Sequence, residues 1–415
     1  MLCQFSFGNY KVFKDEVLLD LFAETIKEHK ESLIIDERDQ EKFIPVVVIY
    51  GPNAGGKSTV LEALDFLRFT VVKTIAVTKM HEQDDKYTSV LKKFESETFK
   101  DRYHKFSAEC KDKPTSFDLL FRKGERQFRY QLSLLQGKVI EENLYVQAVG
   151  EKKVALVFER SEEECVLGED IEDISVEKVS NNMPLLTHIC MNYDIEVIDI
   201  VVDWFFDIEI INYDNPRKER NIIIPQVQAW RKKLFCMLKE MDIQIEDVRM
   251  EKDIDGNIQK IYTKHRTQEG AICEIPFEEE SSGTRKLFSC LATIISCLSK
   301  GNLLVVDELD AKLHPKILQY IIDLFTNPES NRKGAQLLLT SHDITTMNSR
   351  VFRRDEIWFC AKNPLGASKL YSLATFRKEN GSQIRNDEAY GKRYLEGRYG
   401  ADPYIRKILD WEDDE

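Results

Sequence analysis

The residues best suited to chemistry lie in one glycine-rich stretch, PVVVIYGPNAGGKSTVLEAL, from Pro45 to Leu64. Its loop fills the pattern G-x-x-x-x-G-K-[ST], in which backbone N–H groups and the positive end of the following helix bind phosphate. Lys57 would reach the β- and γ-phosphates of a nucleotide, and Ser58 would ligate Mg²⁺. The predicted nucleotide-binding residues of this loop are Gly51, Asn53, Gly55, Gly56, Lys57, Ser58 and Thr59.

A second candidate stretch is LLVVDE, an apolar run from Leu303 that ends in two acids. Asp307 would hold the Mg²⁺ shell, and Glu308 would polarise a water molecule in line with the γ-phosphate as the catalytic base. Two acids before a helix can also be a simple N-cap pair. The phosphate-binding loop upstream favours the catalytic interpretation.

Two further groups flank these acids in the sequence. Ser281 and Gly283 open a predicted helix and would present a hydroxyl and free backbone amides at its positive end. The strand Leu337–Thr340 is followed by Ser341 and then His342. Each group has a plainer explanation, namely a capped helix and a histidine at the end of a strand.

The order of these motifs resembles that of the ATP-binding-cassette ATPases. The serine-glycine stretch resembles their signature motif, His342 their switch histidine and Asp310 their D-loop aspartate. The resemblance implies ATP and Mg²⁺ as cofactors, and Glu308, His342 and Lys57 as catalytic residues. It also implies a head-to-tail homodimer, or a higher oligomer, in which Ser281 and Gly283 of one copy complete the ATP site of another.

The sequences of these motifs are similar to those of the ATPase branch that contains RecF, Rad50, SMC and the overcoming-lysogenization-defect ATPases. The supporting stretches are GPNAGGKST, DELDAKLHP and the opening FGNYKVFKDEVLL. The closing YLEGRYGADPYI resembles the stand-alone RloA (AbiL-type) ATPases of bacterial phage-defence operons. The signature departs from the usual sequence at Ser282 and Thr284, and either Gln127 or Gln131 could be the Q-loop glutamine.

The elements around these motifs predict an α/β fold, an ABC-type P-loop NTPase head with an antiparallel β subdomain and a helical insertion. Residues 1–160 form the first ATPase lobe, with an insertion at about 70–100, and residues 21–44 are expected to be an exposed loop. Residues 161–245 form an acidic loop and a helical insertion, and residues 246–415 the second lobe. Five antiparallel strands are expected at Phe106–Cys110, Ser116–Arg122, Arg126–Leu135, Lys138–Val149 and Lys152–Phe158.

The composition of the 415-residue chain limits its partners and its location. Apolar residues make up 42% and charged residues 32%, which is typical of a globular protein, and the net charge is −13. An acidic protein repels nucleic acid unless a local basic patch binds it. Residues Lys392, Arg393, Arg398 and Tyr399 could form such a patch or a solvated helix face. Nine cysteines without regular spacing, no signal sequence and no long apolar run predict a cytoplasmic protein with no membrane contact.

These observations support one functional hypothesis and two alternatives. The favoured one is an ATP-hydrolysing sensor or regulatory subunit of a bacterial antiphage system. No nuclease module is recognisable beyond residue 360, and the resemblance to the phage-defence ATPases implies a separate effector, a toxin or a nuclease. The alternatives are a repair or recombination ATPase that clamps DNA and an assembly scaffold that ATP locks.

Overall fold

The computed structural model describes residues 1–79, 102–162, 164–176, 179–211, 216–252, 258–377, 384–385 and 388–401. Its strands are β1 (Leu2–Gly8), β2 (Val17–Asp20), β3 (Ile34–Ile35), β4 (Lys42–Phe43), β5 (Val46–Tyr50), β6 (Thr115–Lys123), β7 (Arg126–Leu135), β8 (Lys138–Ala148), β9 (Val154–Ser161), β10 (Cys165–Leu167), β11 (Glu209–Ile211), β12 (Asp247–Lys252), β13 (Ile258–Arg266), β14 (Ile272–Pro276), β15 (Leu303–Val306), β16 (Gln336–Thr340), β17 (Ile357–Lys362) and β18 (Ser368–Ser372). Its helices are α1 (Lys57–Lys79), α2 (Leu185–Asn192), α3 (Glu196–Asp207), α4 (Pro216–Glu240), α5 (Ser282–Lys300), α6 (Pro315–Thr326) and α7 (Tyr390–Leu395).

The main sheet has six strands in the order β11-β15-β16-β5-β17-β18. Its neighbouring strands are parallel except for the last pair, β17 and β18, which is antiparallel. The central strands are continuous apolar runs such as VVVIY and LLVV, which suit a sheet covered on both faces. The carboxyl ends of the parallel strands, where α/β sheets bind ligands, carry the loops after β5, β15 and β16.

Alternate residues of the central strands contribute to two different cores. Val47 and Ile49 of β5 lie in a core with α1, α2, α3 and the large antiparallel sheet. Val46 and Val48 of the same strand lie in a second core with α5 and α6 on the opposite face. This alternation is the two-residue period of a strand, so helices cover the main sheet on both sides.

The second sheet is antiparallel and has seven strands in the order β10-β9-β8-β7-β6-β1-β2. It joins the main sheet through Gln336, the first residue of β16, which is fully buried. The Gln336 side chain accepts a hydrogen bond from the Leu2 amide at 2.7 Å and donates one to the Leu2 carbonyl at 3.0 Å. A smaller antiparallel sheet, β12-β13-β14, leads into α5. The predicted α/β head with an antiparallel subdomain is therefore confirmed.

The structure differs from the sequence prediction in four places. The expected strand Phe106–Cys110 is instead a 3₁₀ turn at Ala108–Asp112, because the Asn9 side chain bonds the carbonyls of Cys110 and Lys113. The segment 161–245 contains a strand of the main sheet, Glu209–Ile211, which pairs with β15.

The other two differences concern the first lobe. Residues 21–44 include the β3-β4 hairpin and the buried Asp36, whose carboxylate pairs with Arg122 at 2.8 Å. Helix α1 continues to Lys79, so residues 70–79 extend a buried helix rather than beginning an insertion. Residues 80–101, the rest of that predicted insertion, lie outside the described residues.

Candidate nucleotide-binding site

The phosphate-binding loop begins where β5 ends and is shaped by close backbone contacts. Gly51 has φ +155°, and a Cβ there would lie 2.4 Å from the Cys360 carbonyl oxygen of the neighbouring β17. Gly56 has φ +107°, and a Cβ there would lie about 3 Å from Val12 and Phe13. Both positions therefore require glycine, which explains two of the residues that define the motif.

Lys57 is the first residue of α1 and lies inside the loop rather than in solvent. Its Nζ donates hydrogen bonds to the Gly51 carbonyl at 3.0 Å and to the Pro52 carbonyl at 3.2 Å. The residue is 6% exposed, and burial lowers the pKa of its ammonium group while nearby acids, Asp307 among them, act in the opposite direction. An ammonium held by two carbonyls at a helix N-terminus can exchange those bonds for phosphate oxygens.

The remaining loop residues differ in exposure. Asn53 is exposed, Ser58 and Thr59 are half-buried, and Gly55 is buried. A Cβ at Gly55 would lie 2.9 Å from the Pro52 carbonyl oxygen. The loop therefore bends at its buried glycines, and Asn53 is exposed to solvent.

Two predicted Mg²⁺ ligands meet across the sheet. Ser58 Oγ donates to Asp307 Oδ1 at 3.1 Å, although the residues are 249 positions apart in the sequence. A hydroxyl and a carboxylate side by side are hard oxygen donors of the kind that Mg²⁺ takes alongside nucleotide phosphates and water. These residues fit Mg²⁺, and within the described ranges no cluster of three or more histidine, cysteine, aspartate or glutamate side chains offers a separate metal cage.

Sequence reasoning missed Thr340, which organises the two acids. Thr340 is fully buried at the end of β16; its Oγ1 donates to Asp307 Oδ1 at 2.5 Å and accepts from the Glu308 amide at 2.7 Å. A threonine at the end of the strand that follows the acidic pair could have signalled this contact. The single hydroxyl fixes both Asp307 and the backbone of Glu308.

Glu308 and His342 face each other at the open edge of the sheet. Glu308 has φ +48°, and its Oε1 lies 3.8 Å from His342 Nε2. Their side chains are 54% and 43% exposed, respectively. The His342 amide donates to Asp310 Oδ2 at 3.0 Å, while the buried Asp310 Oδ1 has no hydrogen-bond partner within the described structure. The predicted base, switch histidine and D-loop aspartate therefore form one cluster.

The predicted signature residues begin helix α5. Ser281 is its N-cap, and Ser281 Oγ accepts from the Thr284 amide at 3.0 Å. A Cβ at Gly283 would lie 2.7 Å from the Lys312 carbonyl oxygen, so glycine lets the helix start pack against the D-loop segment. Ser281 is exposed, and within the described residues its hydroxyl bonds Thr284 and not the phosphate-binding loop.

Lys286 is a second residue that sequence reasoning missed. Its Nζ donates to the carbonyls of Glu308 at 2.6 Å and Ala311 at 2.9 Å, which joins α5 to the segment that carries the catalytic glutamate. Burial lowers the pKa of this lysine. The sequence signal that could have indicated this contact was a lysine four residues after the helix start, on the same helix face as Ser282.

Other predicted features lie away from this cluster. Both Q-loop candidates are on β7, where Gln127 accepts from Arg122 and Gln131 donates to Asp118. In the proposed basic-aromatic patch Tyr399 is 1% exposed, and Arg393 and Arg398 pair with Glu396 at 2.9 and 2.8 Å. The buried ring removes the aromatic part of the patch, and the solvent-accessible arginines that share Glu396 fit the alternative of a solvated helix face. None of the described helices is long and apolar enough to cross a membrane.

A family model described as "AAA domain, putative AbiEii toxin, Type IV TA system" matches residues 46–166 and 206–348, more than half of the chain. The matched ranges contain the phosphate-binding loop, the signature residues, the acidic pair and His342. No curated protein matches the sequence significantly.

Several solved structures align with most of the chain at low identity. An SMC head bound to the C-winged helix domain of ScpA is 12% identical, with 89% of this chain and 97% of that chain covered and a TM-score of 0.49. The SMC head domain from Thermotoga maritima is 13% identical, with 89% and 98% covered and a TM-score of 0.43. The recombination mediator RecF is 12% identical, with 89% and 98% covered and a TM-score of 0.32.

Proposed function

This chain belongs to the AAA-domain family described as putative AbiEii toxin of a type IV toxin–antitoxin system, and we propose that it hydrolyses ATP as a conformational switch. The observation that carries the proposal is the meeting of five motif residues at one sheet edge: Lys57 in the loop, Ser58 against Asp307, and Glu308 beside His342. They come from three places in the chain, the start of α1, the turn after β15 and the end of β16, and each has the chemistry that phosphoryl transfer to water requires.

The proposed mechanism uses these side chains in sequence. Lys57 transfers its hydrogen bonds from the loop carbonyls to the β- and γ-phosphates of ATP. Ser58 and Asp307 would hold Mg²⁺, which when bound would neutralise phosphate charge. Glu308 orients the attacking water and accepts its proton, and His342 steadies the γ-phosphate region. Thr340 holds Glu308 through its backbone amide and thereby aims the carboxylate.

We further propose that a second copy of the chain completes the site. Ser281 and Gly283 of the partner copy would then offer the hydroxyl and amides of a helix start to the γ-phosphate. The exposure of Ser281 and the packing of Gly283 on the D-loop segment support this arrangement, because the helix start is rigidly held yet open to solvent. ATP would then join two copies head to tail, and hydrolysis would release them.

The biological role that we infer is the sensor or regulatory subunit of a bacterial antiphage system with a separate effector. The family description, which names a toxin of a toxin–antitoxin system, supports this class of role. A cytoplasmic location agrees with nine cysteines that are all free. In such a system ATP turnover changes the assembly that the effector recognises.

The test combines ATP hydrolysis with molecular mass in solution, for wild type and Glu308→Gln, with and without Mg²⁺-ATP. We expect Glu308→Gln to reduce turnover about 100-fold and to accumulate as an ATP-dependent dimer. Glu37→Gln, which changes an exposed glutamate elsewhere, is the matched control. Normal turnover in Glu308→Gln, or an unchanged mass in both proteins, would contradict the proposal.

Duplex DNA provides the second arm of the same experiment. Turnover that rises more than about tenfold with DNA would favour a DNA-clamping repair ATPase and contradict the effector-linked role. Tight ATP binding with turnover near background in the wild type would favour an assembly scaffold. In cells, loss of phage immunity in Lys57→Ala with normal recombination would support the defence role.

A further inference from the structure

Two consecutive basic residues follow the start of helix α5, and they differ in their contacts. Lys286 donates hydrogen bonds to the carbonyls of Glu308 and Ala311. Arg285 is half-buried, and its buried Nε makes no hydrogen bond with the described residues. Within the same residues no acidic side chain forms an ion pair with its guanidinium group. A buried donor without a partner is uncommon in a folded protein and requires an explanation.

The position of Arg285 in the helix is unfavourable for a cation. Its amide donates to the carbonyl of the N-cap, Ser281, at 3.0 Å, so Arg285 lies one turn from the helix start. The N-terminal end of a helix carries partial positive charge, which disfavours a cation and favours an anion. The first turn of α5 contains no acid that would offset this charge. Arg285 therefore adds positive charge to an end of the helix that is already positive.

The acid closest in sequence to this helix start bonds the small antiparallel sheet instead. Glu280 immediately precedes Ser281, but its Oε1 accepts from Thr263 Oγ1 at 2.5 Å and lies 2.6 Å from His265 Nε2. Both of these partners belong to β13. The carboxylate of Glu280 is thus held by β13, and it leaves the positive helix start without a neutralising group.

These features suit an anion that has several oxygen atoms. Ser281 is exposed, and the first amides of a helix have no partner within the helix. The guanidinium group of Arg285 adds N–H donors in a planar fork that matches the geometry of phosphate oxygens. A phosphate group offers both the negative charge and the acceptors that this helix start lacks.

We propose that Arg285 is a catalytic residue that contacts the γ-phosphate of ATP bound by a second copy of the chain. This inference rests on the proposed function, in which the helix start of one copy faces the nucleotide of the other. Water attacks the γ-phosphorus, Glu308 takes the water proton, and the bond to the bridging oxygen breaks with its electron pair remaining on ADP. Arg285 donates hydrogen bonds to the γ-phosphoryl oxygens and stabilises their charge in the transition state.

This role explains why the guanidinium group has no partner within one copy. A cation that is paired in the free protein must lose its partner before it binds phosphate, whereas Arg285 has none to lose. Its repulsion from the helix end is relieved only when the γ-phosphate of the other copy is present. Because ADP lacks that phosphate, the contact favours the ATP-bound dimer over the ADP-bound one.

The first test compares Arg285→Ala with Lys300→Ala, which removes an exposed base from the other end of α5. Arg285→Ala should lower kcat for ATP hydrolysis about 100-fold. KM should change by less than about threefold, because ATP binds first to the phosphate-binding loop of its own copy. Arg285→Lys keeps the charge without the planar fork and should have an intermediate kcat. Lys300→Ala should keep wild-type turnover.

Urea denaturation of the same variants distinguishes a catalytic role from a structural one. Arg285→Ala removes a cation from a positive helix end and should be at least as stable as the wild type. Lys300→Ala removes a base from the last turn, where the helix dipole favours it, and should be slightly less stable. A less stable Arg285→Ala protein would indicate a partner within the chain and overturn the proposal.

A mixture of variants tests whether Arg285 acts across the dimer. In a mixed dimer of Arg285→Ala and Lys57→Ala, one site combines an intact phosphate-binding loop with an intact Arg285 from the other copy. An equal mixture should therefore regain about a quarter of the wild-type rate. If Arg285 acted on the ATP of its own copy, both sites would be defective and no activity would return, which would overturn the proposal.

The same measurements separate this inference from the proposed function. Full turnover in Arg285→Ala, with Glu308→Gln inactive, would reject the role of Arg285 and leave the proposed function intact. A wild type without turnover would reject both.

Discussion

The amino and carboxyl ends of the strands in the main sheet are both rich in charged side chains. These side chains are buried and paired at the amino ends but exposed at the carboxyl ends. At the amino ends, Arg353 is completely buried and bonds Asp355 at 2.7 Å and the Glu28 carbonyl at 2.6 Å. At the carboxyl ends, Glu308 and His342 are about half exposed, and 3.8 Å separates them.

The difference lies in how far the charged side chains of each end are buried within the fold. At the amino ends Gln336 binds both backbone groups of Leu2. Glu356 Oε2 accepts from the Arg353 amide at 2.8 Å, whereas its buried Oε1 has no hydrogen-bond partner among the described residues. At the carboxyl ends a buried Asp310 oxygen likewise has no partner within the described ranges, and Lys57 is held by loop carbonyls. The buried ion pair at the amino end stabilises the fold, whereas under the proposed function the exposed groups at the carboxyl end would meet nucleotide, Mg²⁺ and a second copy.

The largest effect should come from the amino end. Arg353→Met leaves the buried carboxylate of Asp355 without its cation, which should reduce the free energy of unfolding by about 3–5 kcal/mol. ATP affinity at temperatures where the variant is folded should not change. Urea denaturation measures the loss, and Arg350→Met, which replaces an exposed arginine three residues earlier, is the control. A reduced ATP affinity in folded Arg353→Met would contradict the separation between a stabilising amino end and a nucleotide-binding carboxyl end.

For Lys57→Ala we expect the opposite pattern, a loss of ATP affinity with little change in stability. Loss of the phosphate-binding ammonium should weaken ATP binding about 100-fold, equivalent to about 3 kcal/mol. The free energy of unfolding should change by less than about 1 kcal/mol, because the substitution also removes a buried charge. Titration calorimetry and urea denaturation test the two parts, with Lys138→Ala as the exposed control. A variant that unfolds easily would show that the loop depends on this lysine for stability.

Thr340→Val should moderately reduce both the stability of the fold and the rate of ATP hydrolysis. The substitution keeps the shape of a fully buried side chain but removes the acceptor of the Glu308 amide and the donor to Asp307. We expect a loss of about 1–3 kcal/mol in stability and about a tenfold loss in kcat with little change in KM. Thr340→Ser should restore most of both, and a Thr340→Val enzyme with full kcat would remove this residue from the mechanism.

The smallest effect should be a pH dependence at the amino end. Burial raises the pKa of Glu356 to about 8, so the folded protein favours the protonated carboxyl. Its stabilising contribution is full below the unfolded pKa of about 4.3 and is lost as pH rises through 8. Between pH 6 and 7 the wild type should lose about 1 kcal/mol that Glu356→Gln keeps. Parallel stability curves for wild type and variant would contradict this, and Glu329→Gln is the exposed control.

The sequence predicted the carboxyl end better than the amino end. Motif spacing located Lys57, Ser58, Asp307, Glu308 and His342, because each follows an apolar run that ends at the same edge of a parallel sheet. The partners Thr340 and Lys286 carry no motif; their roles depend on contacts across 32 and 22 residues of sequence.

The amino end could not be read from local patterns. Arg353, Asp355 and Glu356 resemble an exposed charged turn in the sequence, and only the packing of residues 24–28 over them explains their burial. Strand β11 was missed for a similar reason. Its three residues, two of them isoleucine, are too short a run to identify a strand within a stretch of helical spacing, and they become a strand by pairing with β15.

The most direct test of the account mixes two inactive variants. Lys57→Ala disables the phosphate-binding loop, and Ser281→Arg blocks the helix start that a second copy would supply. In a mixed dimer one site combines both defects and the other has neither. We therefore predict that an equal mixture regains about a quarter of the wild-type ATP hydrolysis rate, although each variant alone is inactive. A mixture that remains inactive, with both variants folded, would contradict a site shared between two copies.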